Sequence, residues 1–136
     1  KIPVMGHIGY TPQFKKKFRV EGRTTEEIKK LLKDAIQIEK AGAFSIVLEC
    51  LDPKASEIIT KNLEIPTIGI GSSANCDGQI LVTDDMLGLS GFYPKFVKKY
   101  ASLNRIIEKA VKNYSRDVKL KKFPNKKNFL NGTKNK

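Results

Sequence analysis

The chain alternates between short apolar runs and longer stretches whose apolar residues recur at helical spacing. "IPVMG" (2–6), "FSIVLEC" (44–50), "PTIGIG" (66–71) and "QILV" (79–82) are of the first kind. Their near-continuous apolarity predicts strands buried on both faces, as in parallel sheets. "TTEEIKKLLKDAIQIEKAG" (24–42) is of the second kind. Ile28, Leu31, Leu32, Ala35 and Ile38 share one helical face, Thr24 with Glu27 reads as a capping box, and Gly42 as a stop. Asp52-Pro53 opens another helix with Pro53 at its first position and Ala55, Ile58, Ile59 and Leu63 inside. "HIGYTPQFKKKFRVEGR" (7–23) reads as a long loop. Past a Gly-rich link, 94–103 and 104–120 predict two helices. The second carries a stripe of Ile106, Ile107, Ala110, Val111, Tyr114 and Val118.

Strand–helix alternation predicts parallel strands joined by crossover helices, an α/β fold. A complete (β/α)8 barrel takes about 250 residues, so four strands make about half of one. An open doubly wound sheet is the alternative. On this reading 1–118 forms the barrel half and 119–136 a basic tail expected to be disordered. The chain opens at Lys1 almost directly into a strand, which reads as a cut on the N-terminal side.

Composition changes this picture little. The 136 residues are 40% hydrophobic and 29% charged, as in a globular domain. No run approaches the roughly 18 apolar residues of a membrane span. The net charge of +12 raises nucleic acid as a partner, but much of the excess lies in "KLKKFPNKKNFLNGTKNK", a solvated Lys/Asn-rich tail with no recognised motif. We therefore expect no nucleic acid and no membrane. "NGT" (131–133) matches a glycosylation sequon but has no visible secretory route behind it. Cys50 and Cys76, without CxxC spacing, suggest neither zinc nor a disulfide scaffold and fit a reducing, cytoplasmic setting.

In either fold, functional groups gather at the C-terminal strand ends. Three ends carry chemistry here: Gly6-His7-Ile8-Gly9, then Glu49, then Gly69 to Ser73. Glu49 ends the most hydrophobic run. A carboxylate there is either a rim residue in a salt bridge or a general base, with proton affinity raised by desolvation unless a cation or donor stands nearby. His7, the only histidine, is by itself more often a hydrogen-bonded structural residue than a catalyst. "GIGSS" could hold a phosphate on backbone amides or could simply relieve crowding. Asp84-Asp85 reads as a turn and helix start, not a metal site. Cys50 is expected to alternate with Glu49 and face the helix layer as a small core residue.

Taken together, "GHIGYTPQ" (6–13), "VEGR" (20–23), "AGAFSIVLEC" (41–50), "IPTIGIGSS" (65–73), "CDGQILV" (76–82), "DMLGL" (85–89) and "PKFVKKY" (94–100) resemble, in order, the C-terminal half of the ketopantoate hydroxymethyltransferases. The resemblance reaches to about Tyr114. Tyr10 stands where the family usually has leucine, Glu21 where it often has glutamine, and Ser72-Ser73 where an Ala-Gly pair is common.

The resemblance implies a (β/α)8 barrel and a hydroxymethyltransferase of pantothenate and coenzyme A synthesis. A hydroxymethyl group passes from 5,10-methylenetetrahydrofolate to 3-methyl-2-oxobutanoate, giving 2-dehydropantoate. It implies Glu49 as the catalytic base at C3 and His7 as a substrate-binding residue. It also implies Mg²⁺, with all its ligands in the half that is not present, and a homo-oligomer, a decamer. The half chain alone is expected to be inactive. Two alternatives remain at this point. One is another Mg²⁺-dependent 2-oxo-acid carbon–carbon bond-forming or lyase barrel, although the cysteine-bearing loop of such enzymes is not in the sequence. The other is a non-catalytic product of a truncated gene.

Overall fold

Four parallel strands in chain order make the sheet of the computed structural model, which describes residues 2–14 and 19–129. The strands are β1 (Met5–Gly9), β2 (Ser45–Glu49), β3 (Thr67–Ile70) and β4 (Gly78–Gln79). Helix α1 (Thr25–Lys40) connects β1 to β2, and α2 (Pro53–Asn62) connects β2 to β3. These are βαβ units, as the alternation requires, and four such strands are consistent with about half of a (β/α)8 barrel. The elements belong to the first of two compact units, Lys1–Val82 and Thr83–Lys136.

The core of this unit is one cluster. Ile8, Ile46 and Leu48 of the sheet pack with Leu31 and Ala35 of α1, Ile59 of α2, Leu51 and Cys76. Thr24 caps α1, its Oγ1 accepting from the Glu27 amide at 3.2 Å. The other half of the expected box is different. Glu27 Oε2 accepts from the amides of Gly22 and Arg23, both at 3.0 Å, and Oε1 from Arg19 at 2.5 Å. The side chain thus ties the end of the long loop to the helix. These contacts hold its carboxyl below the usual range, the Arg23 amide contributing most. At α2, Asp52 Oδ1 accepts from the Lys54 amide at 2.9 Å, with Pro53 at the first position.

Two strands differ from the sequence expectation. β1 lies at Met5–Gly9 rather than 2–6, because Met5 to Gly9 pair residue by residue with Ser45 to Glu49. Residues that read as loop are therefore in the ladder, His7 among them. β4 is shorter than 79–82. The Ile80 amide still reaches the Gly69 carbonyl at 3.0 Å, but the ladder stops there.

The second unit contains α3 (Thr83–Leu87), α4 (Leu103–Lys119) and a 3₁₀ turn at Lys126–Asn128. Asp84 and Asp85 sit in the first turn of α3, the helix start expected of them. The helix expected over 94–103 is not formed. The amides of Tyr100 and Ala101 bond to the Met86 carbonyl and that of Asn104 to Gly88, so tertiary acceptors take the donors a helix would use. α4 forms as expected, but Ile106, Ile107, Val111, Tyr114 and Val118 are exposed. Of the basic tail, residues up to Phe129 are described, and Phe123 meets Tyr114 edge-on at 5.5 Å between ring centres. The sequon at 131–133 lies outside the described residues. Among the described residues, no helix is long and apolar enough to cross a membrane.

Candidate active site

Strand alternation decides which side chains share a face. Ile8, Ile46 and Leu48 belong to the core against the helices. His7 on β1, and Val47 and Glu49 on β2, therefore face the other side. Register does the rest. Gly9 pairs with Glu49 and His7 with Val47, which places His7 diagonally one step below Glu49. That distance suits an imidazole and a glutamate side chain.

The two residues singled out from the sequence meet. His7 Nε2 lies 3.2 Å from Glu49 Oε2 and 3.1 Å from the Tyr10 carbonyl oxygen. A carbonyl and a carboxylate both accept, so the inferred tautomer carries its proton on Nε2. The imidazole is thus the polar side chain that stands beside the carboxylate. Glu49 Oε1 has no hydrogen-bond partner among the described residues. The carboxylate is one-fifth exposed and the imidazole more so, so both are within reach of a small molecule.

The backbone around this pair is tied from several directions. The Tyr10 amide donates to the Glu49 carbonyl at 2.9 Å. Gly9 has φ 98°, and a β-carbon there would strike that same carbonyl, so the close approach of the strand ends requires glycine. The Glu21 amide donates to the Cys50 carbonyl at 3.0 Å, and Cys50 to Ile70 at 2.9 Å. Ser72 Oγ donates to the Leu48 carbonyl at 2.7 Å and accepts from the Leu51 amide at 3.2 Å. Sequence reading missed this hydroxyl as a contact to β2. Its signal was the departure from Ala-Gly at 72–73.

Cys50 requires a correction. The strand ends at Glu49, and Cys50 adopts φ 53° in the turn to α2, so it does not continue the alternation. It is buried all the same. Burial, and then the neighbouring Glu49 charge, push its thiol up to about 11, which keeps it protonated and unreactive at neutral pH.

The described residues contain no cluster of three or more His, Cys, Asp or Glu able to hold a metal ion. A cleft of about 540 Å³ lies beside α1, lined by Ile8, Arg19, Gly22, Glu27, Lys30 and Asp34 among others. It includes neither His7 nor Glu49, and Arg19–Glu27 is paired there. The strand-end pair is the better candidate, because it offers an accessible carboxylate oxygen beside a fixed donor.

Comparison with known proteins agrees with the family named from the motifs. The model of the family described as ketopantoate hydroxymethyltransferase matches residues 1–126. A curated relative from Clostridioides difficile (strain 630) is 53% identical over 131 residues, covering 93% of this chain and 48% of its own length. One from Francisella tularensis subsp. tularensis (strain FSC 198) is 51% identical over 129 residues, with 92% and 49% covered. One from Pelagibacter ubique (strain HTCC1062) is 47% identical over 127 residues, with 93% and 49% covered. All three are named 3-methyl-2-oxobutanoate hydroxymethyltransferase. The chain spans about half the length of the curated relatives it matches.

Proposed function

The chain belongs to the ketopantoate hydroxymethyltransferase family, and from that premise we propose that it supplies the proton-abstracting side of a hydroxymethyltransferase active site. The substrates are 3-methyl-2-oxobutanoate and 5,10-methylenetetrahydrofolate. With one water consumed, the products are 2-dehydropantoate and tetrahydrofolate. The observation that carries this reading is the approach of His7 Nε2 to Glu49 Oε2 at 3.2 Å, at the C-terminal ends of adjacent strands.

Glu49 is the base. A C–H beside a ketone is a weak acid, so its removal needs a carboxylate held in place. Oε1 takes the proton from C3, the C–H electron pair becomes the second C2–C3 bond, and the π pair of the C2 carbonyl moves onto the ketone oxygen. C3 of the enolate then bonds to the one-carbon unit, both bonds from that carbon to the folate nitrogens break, and water supplies the oxygen of the new hydroxymethyl group. His7 engages Oε2 and so turns Oε1 toward the substrate. The hydrogen bond of Nε2 to the Tyr10 carbonyl fixes the ring. Mg²⁺, which the resemblance implies, would take its ligands from outside the described residues and would polarise the ketone oxygen as a Lewis acid, and the roles given to Glu49 and His7 are those of their own atoms. The same holds for the homo-oligomer and the cytoplasmic setting, which remain part of the proposal.

Glu49→Gln in the full-length protein carrying this chain tests the reading. The amide keeps the volume and lacks the basic lone pair. Exchange of the C3 proton of 3-methyl-2-oxobutanoate with deuterium, which needs no folate, should slow by about 10²–10⁴, the usual effect of losing a general base. Binding of the keto acid should change little. Exchange at the wild-type rate would return Glu49 to a rim residue.

A further inference from the structure

In this chain the turn that follows Glu49 is bonded to a hydroxyl from the neighbouring strand end. Cys50 takes φ 53°, a left-handed conformation that non-glycine residues seldom adopt and that persists only where the surroundings enforce it. The Cys50 amide still bonds to β3, at Ile70. The turn then carries the next amide, that of Leu51, out of line with the ladder. Leu51 is buried, so its N–H needs a partner within the protein. Ser72 Oγ is that partner, and it also donates to the Leu48 carbonyl. One hydroxyl therefore brackets Glu49 and Cys50 from both sides. The other bonds to residues 49 and 50, from Tyr10, Glu21 and to Ile70, are between backbone groups. Ser72 is the side chain through which a substitution can loosen the turn.

We propose that Ser72 is a positioning residue for Glu49, its hydroxyl holding the left-handed turn at Cys50 and thereby the carboxylate against His7. This deepens the reading of Glu49 as the base and rests on it. A peptide plane rotated at Cys50 displaces the carboxylate from its donor, and misplacement by 1 Å can cost about 10²-fold in rate.

The test uses Ser72→Ala, with Ser72→Thr and Ser72→Val as a pair of equal shape that differ in the hydroxyl, in the full-length protein. Three quantities are read: C3 deuterium exchange, keto acid affinity by calorimetry, and the imidazole ¹⁵N signal of His7, assigned by its loss in His7→Asn. Ser72→Ala should slow exchange about tenfold, a partial misplacement on that scale. It should leave affinity within about twofold and shift the His7 signal, and Ser72→Thr should restore both. A lower melting temperature with unchanged exchange and an unchanged imidazole signal would make Ser72 merely structural and overturn the proposal. If the alanine variant does not fold, the other pair decides: exchange restored in Thr and slowed in Val supports the role, and equal exchange in both overturns it. Should Glu49→Gln exchange normally, the base assignment fails. The imidazole signal then still reports whether Ser72 sets Glu49 against His7.

Discussion

In the first unit, Ile46 and Leu48 of β2 are wholly buried between the sheet and its two crossover helices. In the second, Ile106, Ile107 and Val111 of α4 recur with equally regular spacing yet stand 51% to 63% exposed. Both sequences call for cover, β2 by its continuous apolarity and α4 by a stripe at helical spacing. What differs is cover. α1 and α2 return onto strands that directly flank them in sequence, so each brings its own lid. α4 has no buried residue at all. Periodicity thus identifies the face that wants burying and is silent on what buries it. Charge follows the same division, since most of the +12 excess lies beyond Val82, on the polar face of α4 and in the tail.

The contrast is most easily broken by truncating one side chain in each unit. Ile46→Ala should cost about 2–5 kcal/mol, the range for removing a buried aliphatic group and leaving a cavity. Val111→Ala, on an open face, should stay within about 0.5 kcal/mol. Urea titration of the dilute chain, followed by helix content, measures both. Equal costs would mean that the α4 stripe is covered in solution.

A second substitution separates the mouth of the first unit from its core. His7 is over a third exposed; its Nε2 bonds to the Tyr10 carbonyl and lies beside Glu49, outside the apolar cluster. His7→Asn in the full-length protein should lower turnover by about tenfold, a fraction of the roughly 10²-fold cost of misplacing a reacting group by 1 Å. It should leave the melting temperature close to wild type. Activity within about twofold of wild type would make His7 structural only.

These sites also mark how far the sequence could be read. β2, β3, α1 and α2 were legible because local pattern and tertiary environment agree there: continuous apolarity for buried strands, caps at Thr24 and Asp52, Pro53 at a helix start. Glu49 and His7 were legible as residues, though their meeting was not. It depends on the register between β1 and β2, and the glycines around His7 read as loop. The segment over 94–103 failed for a related reason. Its helical pattern is real, but the Met86 carbonyl takes the amides of Tyr100 and Ala101, and no local signal announces an acceptor so far back in the chain. Ser72 was visible only as an oddity in a glycine-rich strand end, because its bonds cross 21 and 24 residues of chain.

The smallest expected effect sharpens the comparison by acid. Asp77 Oδ2 accepts from the Thr67 amide at 2.8 Å and from the Thr67 hydroxyl at 2.9 Å. Thr67 is wholly buried, and its hydroxyl also meets Thr60 of α2 at 2.9 Å. Because Thr67 donates to Asp77, Thr60 is the donor to Thr67. The chain of bonds joins α2, β3 and the loop before β4. The Thr67 amide first, and then its hydroxyl, hold the Asp77 carboxyl below its ordinary value. A carboxyl depressed in the folded state adds stability above its unfolded value, about 3.9, and loses it as pH falls through the folded value. Glu27, depressed by the loop amides, acts with the same sign, so both contacts lie in the first unit. Asp77→Asn keeps an acceptor oxygen but removes the charge. It should therefore be slightly less stable than wild type near neutrality, with the gap closing below about pH 4. Urea midpoints measured from neutral to acid pH decide the matter: a gap of constant size would show that the Asp77 bonds hold the fold without any contribution from its charge.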